Sequence, residues 1–183
     1  MQKFDITYYP WDKFNYQPKT FITLEYLPEG YQVHMTSYET ELRTEEIAHN
    51  GAICRDSCME AFINFTPDAS DSYLNFEVNP KGIMHLGFGD GRHGRILADI
   101  CDIETLQIKP EIFSDRWEVS FLIPTDFIKK NFPAYTHTPG KKLKGNFYKC
   151  GDLSVFEHFG CWAPITWEEP DFHRPEFFRE FIV

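Results

Sequence analysis

Residues 73–79 read YLNFEVN and alternate without a break. On an extended chain Leu74, Phe76 and Val78 project to one side, while Tyr73, Asn75, Glu77 and Asn79 project to the other. A period of two sorts these residues cleanly into two sets, and a helical period does not, so the segment is predicted to be a strand. Its one face is apolar and its other face carries only hydrogen-bonding groups. A strand of this kind either meets water or floors a groove for a polar ligand.

Strand patterns recur along the chain. Lys19–Tyr26, Gly30–Ser37, Cys58–Phe65, Ile83–Phe88, Arg116–Ile123, Lys144–Cys150 and Phe177–Val183 are further strand candidates. Trp117, Val119, Phe121 and Ile123 share one face, which makes Trp117 a core residue. Pro124 ends that strand, and Thr125–Lys130 predicts a short helix capped by Thr125. Tyr38–Ala48 is polar and fits one helical turn, whereas residues 1–18, with Pro10 and Pro18, read as an aromatic arm laid over the core. Since no amphipathic helix exceeds about two turns, the expected fold is all-β. It is an antiparallel β-sandwich of jelly-roll or immunoglobulin-like architecture with short helical turns, one domain over residues 1–183.

Charge and cysteine usage narrow the partners. A net charge of −10 argues against nucleic acid and anionic membrane surfaces. No apolar run reaches membrane-spanning length, and the first residues carry no signal-peptide pattern. The expected compartment is cytoplasmic, or extracellular or periplasmic if a leader has been removed. Cysteines stand at 54, 58, 101, 150 and 161 with no C-x-x-C pair. Cys54 and Cys58 on one extended strand are roughly 13 Å apart, too far for a disulfide. Free thiols are expected, and the dispersed histidines give zinc no support.

Four further patterns bear on chemistry. Gly89–Gly94 matches G-x-G-x-x-G, but no βαβ unit surrounds it; it reads as an inter-strand loop displaying Arg92, His93 and Arg95. Asp56, Glu60 and Glu77 could supply a carboxylate pair for glycoside hydrolysis. Asp68, Asp71 and Asp90 offer hard oxygen ligands for calcium, although their spacing matches no calcium loop. Trp11, Trp162 and Trp167 are candidates for stacking on the C–H faces of a sugar.

A resemblance enters at three stretches. Residues 55–62 (RDSCMEAF) with 73–79 form one half; 145–152 (GNFYKCGD), 158–162 (HFGCW) and 170–178 (PDFHRPEFF) form the other. Together they are similar to the carbohydrate-binding-module family 9-like domains, in the subgroup of small stand-alone bacterial proteins. The resemblance implies a β-sandwich with a sugar site in which tryptophans clamp a terminal sugar and charged side chains bind its hydroxyls, sometimes with structural calcium. Carried over by position, Trp162 is one clamp residue, and Asp56, Glu77 and one of Arg92 or Arg95 form the polar set. Relatives place a second tryptophan beside the Glu77 strand, where this chain has Tyr73. The expected ligand-binding set is Asp56, Tyr73, Asn75, Glu77, Arg92, Arg95, Asn146, Tyr148, Trp162, His173 and Arg174. The partner is a mono- or oligosaccharide, the module is non-catalytic, and no cofactor other than calcium has a place. A glycan-processing hydrolase and a protein-interaction sandwich are the alternatives.

Overall fold

The computed structural model describes residues 1–183. In chain order the strands are β1 (Gln2–Ile6), β2 (Thr20–Leu27), β3 (Gly30–Ser37), β4 (Cys58–Asn64), β5 (Tyr73–Val78), β6 (Met84–Gly89), β7 (Ile96–Leu97), β8 (Lys109–Ile112), β9 (Trp117–Pro124), β10 (Lys142–Cys150), β11 (Phe159–Cys161) and β12 (Arg179–Ile182). Two short helices, α1 (Ile100–Thr105) and α2 (Thr125–Asn131), complete the set. None of the helices is long and apolar enough to cross a membrane.

The strands form an antiparallel β-sandwich. One sheet runs β1–β2–β3–β9–β8, and the other runs β11–β10–β4–β5–β6–β7. β12 pairs with Lys142–Gly145 of β10, and β11 pairs with Tyr148–Cys150 of the same strand. Between the sheets lie the alternating apolar residues of both layers, among them Ile22, Val33, Met35, Val119, Phe121, Met59, Ala61, Leu74, Phe76 and Phe147. Trp117 is fully buried there, as its alternation predicts.

At one end of the sandwich a polar cluster is buried with this core. Lys149 Nζ lies 3.0 Å from Glu39 Oε2, and Trp117 Nε1 donates to the same oxygen at 3.1 Å. Lys149 Nζ also lies 2.8 Å from His158 Nε2. Burial, and then the Lys149 charge, lower the His158 pKa to about 3, so the imidazole is neutral and accepts from the ammonium. Through Glu39 the polar 38–48 segment is pinned down; it contains no helical turn, contrary to expectation.

Two other expectations are corrected, and two elements had not been expected. The N-terminal arm begins as a true strand, because Phe4 and Ile6 alternate into the core while β1 pairs with β2. Thr125 does not cap α2: the residue at the cap is Pro124, and the buried Thr125 hydroxyl has no partner. α1 and the edge strand β8 lacked a signal, since all four residues of β8 are exposed and Pro110 reads as a break.

The larger sheet is greasy on both faces. Its outer face carries a second apolar cluster of Trp11, Ile53, Cys58, Phe62, Tyr73, Tyr148, Phe159, Phe172 and Phe178, among others. Segments 43–57, 151–158 and 162–178 lie over that face. The polar face of β5 is therefore covered: Tyr73, Asn75 and Asn79 are fully buried and Glu77 is 8% exposed.

Candidate functional site

Where the covering loops part, a cleft of ≈ 450 Å³, counted to its open mouth, reaches the outer face of the larger sheet. β4 contributes Glu60 and Phe62, β5 contributes Glu77 and β10 contributes Cys150. Glu60 and Glu77 are directly opposite each other in the strand register, so both carboxylates point into one space. β11 supplies Phe159, and the loops supply Arg92, Asp152, Asp171, Phe172 and His173. One part of the lining is thus aromatic and another is charged.

The charged groups are poised by their surroundings. Burial, followed by the nearby Glu77, holds the Glu60 carboxyl well above the usual carboxylate range. Glu77 is also raised by burial, against the opposing pull of His85, Asn75 and Arg95. Desolvation likewise raises Asp152. His173 moves the other way: burial, then Arg95 and Arg92, lower its pKa from 6.5 to about 3. It is neutral and hydrogen-bonds Tyr73 Oη through Nδ1 at 2.8 Å.

This fixes a pH dependence. The unfolded chain protonates His173 more readily than the folded one, so its contribution to stability is complete above pH 6.5 and is lost as pH falls towards 3. Between about pH 5 and 7, urea denaturation is expected to show His173→Gln lowering the slope of stability against pH by up to ~1.4 kcal/mol per pH unit relative to the wild type, in which the raised Glu60, Glu77 and Asp152 carboxyls act in the opposite sense. A variant whose slope matches the wild type would refute this.

Of the expected ligand-binding residues, Glu77, Arg92 and His173 line the cleft. The others sit behind it or elsewhere. Asp56 is fully buried and accepts from Arg43 Nη1, from the backbone N–H groups of Glu45 and Glu46 at 3.0 Å each, and from Asn79 Nδ2 at 3.0 Å. Arg95 donates internally from all three guanidinium nitrogens: to Asn75 Oδ1 and to the carbonyls of Gly91, Tyr73 and Gly87. It staples the 87–95 loop to β5 and leaves Arg92 as the arginine on display. Asn75, held by Arg95, donates to Glu77 Oε1 at 2.8 Å and so aims that carboxylate. Tyr73 lies under the Arg95 guanidinium at 4.3 Å.

On the C-terminal side, Asn146 is spent on the backbone of Ala163 and Phe147. Tyr148 donates to the Phe172 carbonyl at 3.1 Å and stacks on its ring at 4.1 Å, supporting a cleft residue without lining the cleft. Arg174 pairs with Glu176 and lies 3.5 Å over the Trp167 ring. Trp162 is absorbed by the edge of the inter-sheet core, with ring centroids 4.9 Å from Phe4 and 5.9 Å from Phe147. Trp11 donates from Nε1 to the Trp167 carbonyl and packs behind Phe159 and Phe172. The aromatic lining is accordingly phenylalanine. Phe159 and Phe172 lie inside the family-like motifs, but nothing in their spacing distinguishes a cleft residue from a core one. Asp68 is paired with Lys142, and with Asp71 and Asp90 it forms no joint oxygen cluster.

The protein is an antiparallel β-sandwich with a recessed, partly aromatic, carboxylate-rich cleft on the outer face of a sheet. The chain belongs to carbohydrate-binding family 9, whose family model matches residues 1–183. A candidate carbohydrate-binding protein from Bacteroides uniformis is 26% identical with a TM-score of 0.87, over 99% of this chain and 85% of that one. A family 9 carbohydrate-binding module from Caldicellulosiruptor kristjanssonii, in complex with glucose, has a TM-score of 0.62 at 13% identity, over 91% of this chain and 76% of that one. A module of the same family and organism in complex with cellotriose gives 0.66 at 13% identity, over 98% and 80%. Among curated proteins none matches the sequence.

Proposed function

We propose that the cleft binds one sugar ring, free or at the end of a glycan, without chemical conversion. The observation that carries this reading is the convergence of Glu77, Asp152, Asp171 and Arg92 with Phe159 and Phe172 in one recess. The flat rings take the C–H face of a pyranose, and the carboxylates accept from its hydroxyls while Arg92 donates. Charge-assisted hydrogen bonds of this kind contribute about 1.5–3 kcal/mol each, offset by the entropy of association, so a Kd between roughly micromolar and millimolar is expected. The glucose and cellotriose complexes of fold relatives support gluco-configured ligands as the first to try.

Calorimetry with glucose, cellotriose and a wider panel of sugars tests this. Binding is expected for at least one sugar, and Glu77→Gln is expected to weaken it by about tenfold or more, as loss of one charge-assisted bond requires. Silence across the panel at millimolar ligand would overturn the reading. Turnover of an aryl-glycoside that Glu77→Gln abolishes would turn the pair Glu60–Glu77 into the acid and base of a hydrolase instead.

A further inference from the structure

The floor of the cleft holds sulfur that sugar binding does not use. Cys58 and Cys150 stand directly opposite each other on β4 and β10, and Glu60 follows Cys58 by two residues on the same face. Cys150 Sγ lies 3.0 Å from Glu60 Oε1, and Cys58 Sγ lies 3.8 Å from the same oxygen. The three donor atoms all fall within 4.8 Å of one another. A tetrahedral zinc site with Zn–S near 2.3 Å and Zn–O near 2.0 Å has donor–donor edges of roughly 3.5–3.8 Å. The observed separations bracket those edges.

The surroundings also fit. Glu60 and Cys150 line the cleft, so an ion can reach them from solvent. Both thiols hydrogen-bond to Glu60, all three residues are buried, and all five cysteines of the chain are free. A carboxyl group desolvated against two thiols is an expensive way to fill a core, since core cysteines pack without any polar partner. Burial pushes the Cys58 thiol up to about 12, the hydrogen bond with Cys58 and then burial raise the Cys150 thiol, and burial raises the Glu60 carboxyl.

We propose that Cys58, Glu60 and Cys150 form a three-ligand site for a thiophilic divalent cation of the zinc class, with the fourth position open to the cleft. Metal entry displaces both thiol protons, and the carboxyl proton where Glu60 carries one, so affinity falls steeply as pH falls. Thiolates select zinc-like ions over calcium, whose ligands are oxygens.

The full chain, reduced and stripped with chelator, is to be titrated with Zn²⁺ against a chromophoric chelator, and with Cd²⁺ and Co²⁺ by absorption spectroscopy, without sugar. One equivalent of metal, a thiolate-to-Cd²⁺ charge-transfer band and a tetrahedral Co²⁺ spectrum are expected, with no response to Ca²⁺. Cys150→Ser and Cys58→Ser are expected to weaken Zn²⁺ binding by about tenfold or more, because even lost supporting contacts to metal ligands cost that much. Cys101→Ser, on the exposed start of α1, is the control and is expected to change nothing. Absence of a thiolate band, or a band lost in Cys101→Ser and kept in Cys150→Ser, overturns the site. Should the serine variants not fold, the wild-type Co²⁺ spectrum decides: an octahedral, thiolate-free spectrum refutes it. Because no sugar is present, this outcome is independent of the sugar calorimetry.

Discussion

Asp56→Ala is expected to lower folding stability by about 3–5 kcal/mol, a large part of what a domain of this size has. The carboxylate is fully buried and receives Arg43, two backbone N–H groups of the 43–46 loop and Asn79 from the end of β5. Alanine would leave the Glu45 and Glu46 amides with no acceptor and take one of the partners from Arg43, which keeps Glu45, and from Asn79, which keeps the Glu46 carbonyl. Asp56→Asn keeps one acceptor oxygen and is expected to lose about half as much. Chemical denaturation measures both. A change below about 1 kcal/mol for alanine, the size of an ordinary surface substitution, would show that Asp56 does not hold the loop. Sugar affinity of the folded fraction is expected to survive, because Asp56 does not line the cleft.

The second large effect is a contrast between two aromatic residues. Phe172→Ala is expected to weaken sugar binding by about tenfold or more, since burying one aromatic face on a ligand contributes about 1.5–3 kcal/mol. Phe172 lines the cleft with Tyr148 stacked behind it, interplanar angle 8°, so its position is held from the rear. Trp162→Ala is expected to leave the sugar Kd unchanged while lowering stability by about 2–4 kcal/mol, because its ring packs on Phe4, Phe147 and Phe181. Calorimetry and denaturation on both variants check this. The reverse pattern, with sugar binding lost in Trp162→Ala and kept in Phe172→Ala, would place the ligand somewhere other than this cleft.

Most of the fold was legible because a half-buried strand writes its period into its own residues. β3 was read to the residue, and β4, β5, β6 and β9 to within one residue at either end. β1 and β8 were not, for opposite reasons. β1 carries only two inward residues, Phe4 and Ile6, too few to establish a period. β8 is an edge with no buried residue at all, so no alternation exists to read. The site was legible in part. Glu77 was singled out as a carboxylate on the polar face of its strand and by the family resemblance, and Arg92 because a glycine-rich loop displays it. Asn75, Tyr73, Arg95 and Asn146 have the same polar character, and only their partners show that they aim or brace other groups.

By itself, then, the sequence determined the strands, their apolar faces and the two-layer class, because alternation is a local property. It also carried the family-like motifs. The tertiary structure alone decided which side chains meet. Whether the polar face of β5 is wet depends on segments brought over it from elsewhere in the chain, through contacts such as Asn79 with Asp56 and Tyr73 with His173. Whether a tryptophan or a phenylalanine lines the recess depends on how the 162–178 segment turns after β11. Cys58 and Cys150 share no motif; the register of β4 on β10 sets them face to face beside Glu60. The feature that most constrains the fold, YLNFEVN, was therefore read correctly as a strand, and its polar face proved to be a buried brace that presents Glu77.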